Sequence, residues 1–160
     1  VRDKDAVTAS LLLTEMAAWY QSQGMTLFDA LQALYEKYGY YGEKTHNLVM
    51  PGLDGLEKMA ALMKNLRDVP PTEIAGVAVT ARTDYKDGTI TDCTTGQVTA
   101  SELKGSNVLR YTLADGTVIL VRPSGTEPKI KVYILTLGKD AGERDANIEK
   151  YSQWALALQN

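Results

Sequence analysis

The sequence predicts an α+β fold: an antiparallel sheet of about four strands with two helices on one face, preceded by a helical hairpin. Three observations predict it. Strand-like segments follow one another in hairpin order, most plainly around Asp115-Gly116. They alternate apolar and polar residues with period two, and segments of helical period stand at either end of them.

Between Ala6 and Tyr20 the one charge is Glu15, set among Val7, Leu11, Leu12, Leu13, Met16 and Trp19, so the first helix is apolar on most sides. Thr26 to Asp29 has the form of a capping box. Leu27, Leu31, Leu34, Tyr35 and Tyr38 then repeat at helical spacing until Gly39. Two helices this apolar cannot bury themselves against each other, which points to a packing surface upstream. Gly39 to Lys44 reads as a hinge, and the chain divides into residues 1–42, the end of a preceding domain, and residues 43–160. Tyr35, Tyr38, Tyr40 and Tyr41 read as rings closing that boundary.

A short strand is expected around Asn47 to Met50. Asp54 and Glu57 then cap a helix with Leu56, Met59, Met63 and Leu66 on one face, stopped by Pro70-Pro71. Ala75, Val77 and Val79 alternate as a strand. Asn107 to Leu113 and Thr117 to Arg122 flank the Asp115-Gly116 turn. Lys129 to Leu137 puts Ile130, Val132 and Ile134 on one face and Lys129, Lys131 and Tyr133 on a wet one. A last helix from about Ala141 to Leu158 carries Ile148, Tyr151, Ala155 and Leu158 at matching intervals.

The 160 residues are 44% hydrophobic and 23% charged, a composition that folds. A net charge of -3 supplies no basic field for nucleic acid or anionic lipid, so neither is expected as a partner and any anion site must be local. A single cysteine, Cys93, excludes an internal disulfide and a Cys-based zinc site; with no apolar run long enough to span a bilayer, a cytoplasmic protein is expected. The opening Val-Arg-Asp-Lys-Asp, without an initiator Met, suggests a chain cut from a longer one.

Between two strands stands Arg122-Pro123-Ser124-Gly125-Thr126-Glu127-Pro128-Lys129. Arg122 can fork two donors onto one phosphate, Ser124 and Thr126 offer hydroxyls, and Gly125 lets successive N–H groups turn inward. On spacing alone the segment reads equally well as a turn, with Arg122 exposed and Glu127 as its ion-pair partner.

The run from Arg122 to Pro128 resembles the phosphate-binding loop in the last domain of the α-D-phosphohexomutases, the phosphoglucomutase and phosphomannomutase family, which reads Arg-Pro-Ser-Gly-Thr-Glu-Pro before a strand. Val1 to Ala6 and the helices behind it look like the end of that family's third domain. The resemblance implies that Arg122, Ser124, Gly125 and Thr126 bind the phosphate of a phosphosugar that is not being transferred, and that Lys4 faces the active site. It implies a phosphosugar mutase, an isomerase moving a phosphoryl group within its substrate, with upstream domains of the same chain as partners and magnesium in the full-length enzyme.

The nucleophilic serine, metal loop and sugar loop of such enzymes have no counterpart here. This chain alone is therefore expected to be inactive, with no catalytic residue, metal or cofactor of its own, and the sugar is left open among glucose, mannose, glucosamine and pentose phosphates. Thr8-Ala9-Ser10 copies the start of the nucleophile motif, but Leu11-Leu12 follows and Ser10 reads as a helix-packing residue. Asp3 and Asp5 flank a lysine and make a poor metal site; His46 and Cys93 read as structural. The competing reading is a non-catalytic module that binds a phosphorylated metabolite or a partner.

Overall fold

The structure, a computed structural model, describes residues 4–159, and the chain divides between Tyr40 and Tyr41 into two compact units. The first holds α1 (Ala6–Ser22) and α2 (Leu27–Tyr38). Asp5 caps α1, its carboxylate accepting from the Thr8 N–H at 3.0 Å and the Thr8 hydroxyl at 2.7 Å. The expected capping box opens α2: the Asp29 N–H donates to Thr26 Oγ1 at 3.2 Å, and the Thr26 N–H donates to Asp29 Oδ2 at 2.8 Å. Gly39 ends the helix at φ 106°, a left-handed value that glycine adopts without strain. Among the described residues of the two helices Ala30 alone is buried, while Val7 is 80% and Phe28 67% exposed.

The second unit is an α+β layer pair. Its strands are β1 (Tyr40–Val49), β2 (Glu73–Ile74), β3 (Val77–Asp84), β4 (Thr89–Asp92), β5 (Val98–Ala100), β6 (Leu109–Leu113), β7 (Val118–Pro123) and β8 (Lys129–Gly138); its helices are α3 (Gly55–Asp68) and α4 (Ala141–Ala157). The sheet runs β1-β8-β7-β6-β3-β4-β5 with β2 paired to β3, and the pairings from β2 through β8 are antiparallel.

Period two decides which face is buried. Leu109 and Tyr111 of β6, Ile119 and Val121 of β7, and Ile130, Val132 and Ile134 of β8 point one way; Met63 and Leu66 of α3 and Tyr151 and Ala155 of α4 pack against them. Register Arg110↔Leu120↔Tyr133 and Arg122↔Lys131 sets those five residues on the opposite face, as the alternation predicts. Asp115, at the β6–β7 turn, accepts from the Tyr151 hydroxyl and from the Thr117 N–H, which ties the turn to α4.

Several sequence expectations are corrected. The sheet has eight strands rather than about four among the described residues, because Thr89–Asp92 and Val98–Ala100 extend it past β3 in a polar stretch without a hydrophobic pattern. The strand expected around Asn47 begins earlier, at Tyr40, so the division of the chain between Tyr40 and Tyr41 falls at its start; Gly42 lies against α4, where an added Cβ would stand 2.7 Å from Arg144 Cγ and 2.8 Å from Ile148 Cδ1. Ala75 is no strand residue. Ala75 (φ 49°) and Gly76 (φ 76°) form the two-residue turn joining β2 to β3, with Ile74 opposite Val77. In α3, Leu56 is 62% exposed, off the buried face of Met63 and Leu66, and Asp54 makes no side-chain cap but pairs with Lys58 at 2.9 Å.

Candidate functional site

The segment singled out in the sequence connects β7 to β8 as a short loop, Ser124 to Pro128. Its ends are closed by backbone bonds. The Ser124 N–H donates to the Lys129 carbonyl and the Lys129 N–H to the Glu127 carbonyl, both at 2.8 Å. The loop is also anchored from outside: the Met50 N–H donates to the Pro128 carbonyl at 2.8 Å. Gly55, the first residue of α3, permits the approach, since a Cβ there would lie 2.2 Å from the Met50 carbonyl oxygen and 3.0 Å from Pro128 Cβ. Gly125 is different. Its φ is not in the left-handed region, and a Cβ on it would meet nothing within 4 Å, so neither backbone strain nor crowding within the chain calls for glycine there.

A pocket of about 370 Å³ opens at this loop, lined by the expected Arg122, Ser124, Gly125 and Thr126 and also by Glu127, Lys129 and Lys131. Arg122 and Lys131 stand directly opposite each other across β7 and β8. Neither side chain makes a hydrogen bond or ion pair with another described residue. Lys129 is paired to Glu127 instead, Nζ to Oε2 at 2.5 Å, so the arginine–glutamate pair expected of a plain turn is not formed. The Lys129 hydrogen bond and then its charge hold the Glu127 carboxyl below its ordinary range, with Lys131 adding to the effect and desolvation opposing it. Three cations and one carboxylate thus line the pocket together with Ser124 and Thr126. The arrangement can receive an anion with several donors at once.

Lys129 and Lys131 are the pocket residues that sequence reasoning left unassigned. Their signal was present: with period two they share the open face of β8, and Arg122 lies on the same face of β7.

The remaining candidates lie elsewhere. Lys4 belongs to the helical unit, just before α1, and is exposed; Asp3 lies outside the described residues. Ser10 is exposed within α1 and donates its hydroxyl to the Ala6 carbonyl at 2.7 Å, back-bonded in its own helix rather than packed. His46 of β1 meets Ser152 of α4, Nε2 to Oγ at 2.8 Å. Burial, reinforced by Lys44 and opposed by Glu149, holds the His46 pKa below its ordinary value. Cys93 is exposed in a turn. Among the described residues no group of three or more His, Cys, Asp or Glu side chains could hold a metal ion, and no helix is long and apolar enough to cross a membrane.

Comparison with known proteins gives a consistent picture. Residues 47–136 match the family described as phosphoglucomutase/phosphomannomutase, C-terminal domain. A phosphoglucomutase of Staphylococcus aureus is 39% identical over 137 residues, covering 84% of this chain and 24% of that protein. A phosphoglucomutase of Staphylococcus epidermidis is 35% identical over 134 residues with the same coverage, 84% and 24%. The chain therefore spans about a quarter of the length of these curated relatives. The crystal structure of the phosphoglucomutase pp63/parafusin of Paramecium, in an open form, superimposes with a TM-score of 0.57 over 99% of this chain and 27% of that one; at 15% identity the likeness concerns the fold.

Proposed function

The chain belongs to the phosphoglucomutase/phosphomannomutase family, as its C-terminal domain, and from that premise we propose that the loop Arg122 to Thr126 grips the non-transferred phosphate of a phosphosugar during intramolecular phosphoryl transfer in a longer enzyme. One observation supports the proposal: Arg122 and Lys131 are set face to face on adjacent strands, and among the described residues neither side chain is ion-paired to a carboxylate. Like charges directly opposite on a sheet repel, and a phosphate placed between them turns that repulsion into two charge-assisted contacts.

In this reading the Arg122 guanidinium forks onto two phosphate oxygens, Lys131 neutralises the remaining charge, and the Ser124 and Thr126 hydroxyls fix the orientation. Contacts of about 1.5–3 kcal/mol each, made far from the reacting atoms, position the sugar and favour exclusion of water around it. Residues 1–42 form the end of the preceding domain, with Lys4 facing the active site, and the exposed apolar side chains of α1 and α2 are covered by upstream parts of the enzyme. The chain alone is inactive, and the whole enzyme works in the cytoplasm. Magnesium belongs to that whole enzyme; the described residues bring together no set of ligands for it, and no step of the present reading passes through it.

Amide NMR of the chain titrated with inorganic phosphate and with glucose 1-phosphate tests the proposal. Shifts concentrated from Arg122 to Thr126 and at Lys131, lost in Arg122→Ala, are expected. Shifts that ignore the loop, or survive Arg122→Ala unchanged, sink it.

A further inference from the structure

The pocket holds a carboxylate, which an anion site does not need. Glu127 lines the same cavity as Arg122, Lys129 and Lys131, and its Oε2 lies 2.5 Å from Lys129 Nζ. The two partners are unequally placed: the Lys129 side chain is 24% exposed and that of Glu127 58%, so the cation is held inward and the carboxylate sits at the rim.

The backbone keeps them together. The Lys129 N–H donates to the Glu127 carbonyl, with the fixed φ of Pro128 between, so Glu127 cannot move far from Lys129, yet its side chain makes no other hydrogen bond or ion pair with a described residue. An ammonium has three donors and no acceptor, and a phosphate oxygen satisfies it as a carboxylate oxygen does. A phosphate entering this pocket therefore meets Lys129 already engaged, and meets a negative charge a few ångströms away. An exposed ion pair is weakly held, so the carboxylate can be turned aside by rotation about its own side chain.

We infer that Glu127 is an internal competitor for the pocket: its carboxylate occupies Lys129 while the site is empty and yields it to the incoming phosphate. The consequence is an affinity set below what the three cations alone would give, which keeps the bound phosphate exchangeable. The role of Glu127 is thus to tune binding, and it rests on the loop's being a phosphate site.

Calorimetric titration of the whole chain with inorganic phosphate at low ionic strength tests this. Glu127→Gln keeps the shape of the side chain and removes its charge; it should tighten phosphate binding by about three- to tenfold, the range for relieving one partly screened like-charge contact. In a Lys129→Gln background the same substitution should recover less than half of that gain. An unchanged or weaker affinity in Glu127→Gln overturns the inference. An equal gain with and without Lys129 also overturns it, because the carboxylate would then act only on the general field of the pocket. If the wild type binds phosphate and loses it in Arg122→Ala while Glu127→Gln changes nothing, the competitor role alone falls. If no variant binds phosphate, the phosphate site falls with it. Near-ultraviolet circular dichroism identical to that of the wild type shows that each variant is folded.

Discussion

Arg122 and Lys131 face each other across the β7–β8 pair, two cations at directly opposed positions of an antiparallel ladder. Such a pair is destabilising in a free sheet, by roughly 0.2–1 kcal/mol, a cost that in the proposed reading a bound phosphate offsets. Lys131→Thr should therefore raise the unfolding free energy of the free chain by about 0.5 kcal/mol in low salt. High salt should erase the gain. The same variant should bind phosphate more weakly by about 1.5–3 kcal/mol. Urea unfolding at two salt concentrations, paired with a phosphate titration, checks both; a variant that is neither more stable nor weaker in binding contradicts the assignment.

Gly42 offers a second test, because its neighbours distinguish a packed strand from a hinge. A Cβ at this position would stand 2.7 Å from Arg144 Cγ and 2.8 Å from Ile148 Cδ1, so Gly42→Ala must push α4 side chains aside. Overpacking of this kind costs about 1–3 kcal/mol. In a free linker the same change would be neutral or stabilising by about 0.4–1 kcal/mol, since it restricts the unfolded chain. Thermal and urea unfolding of Gly42→Ala separate the two by sign.

The same residue shows where the sequence could and could not be read. The helical hairpin, the Asp115-Gly116 turn, the buried face of β8 and the phosphate-loop candidates all rest on local signals: a capping box, a left-handed glycine, strict alternation, and an uninterrupted motif. What escaped depends on partners distant in the chain. Gly42 lies against Arg144 and Ile148, over a hundred residues away, and in sequence it looks like any flexible boundary. Thr89–Asp92 and Val98–Ala100 are held by pairing to β3 and to each other rather than by burial, so they lack a hydrophobic pattern. Lys129 and Lys131 were legible as an outward face, but their convergence on Arg122 follows from the β7–β8 register.

His46 links the edge strand to α4, and its chemistry gives a pH dependence of definite sign. Its pKa is lowered in the folded chain, first by burial and then by Lys44, with Glu149 pulling the other way, whereas the unfolded ring titrates near its ordinary value of about 6.5. The unfolded state therefore binds the proton more readily. The stabilising contribution is present above about pH 6.5 and is lost as pH falls through the folded value. His46→Gln should flatten that part of the curve. Urea midpoints of the two proteins between pH 7.5 and 5 should converge or cross as the pH falls, and parallel curves would remove His46 as the titrating group.

The last prediction concerns the helical unit. Burying a large aliphatic or aromatic side chain is worth about 1.5–3 kcal/mol, and α1 and α2 leave Val7, Leu11, Leu12, Trp19 and Phe28 more than half exposed. A surface this apolar is rarely left in water by a monomer. In isolation the 160-residue chain should therefore self-associate, whereas residues 41–160, whose core of sheet, α3 and α4 is complete within that unit, should remain monomeric and folded. Charged substitutions at Leu12 and Trp19 should shift the long chain toward monomer without altering the melting of the second unit, because neither side chain belongs to its core. Sedimentation velocity across a tenfold concentration range is the measurement. Self-association that persists after removal of residues 1–40 would place the sticky surface on the sheet instead, and the open face around Leu120, Tyr133 and Leu135 would then be the first region to mutate.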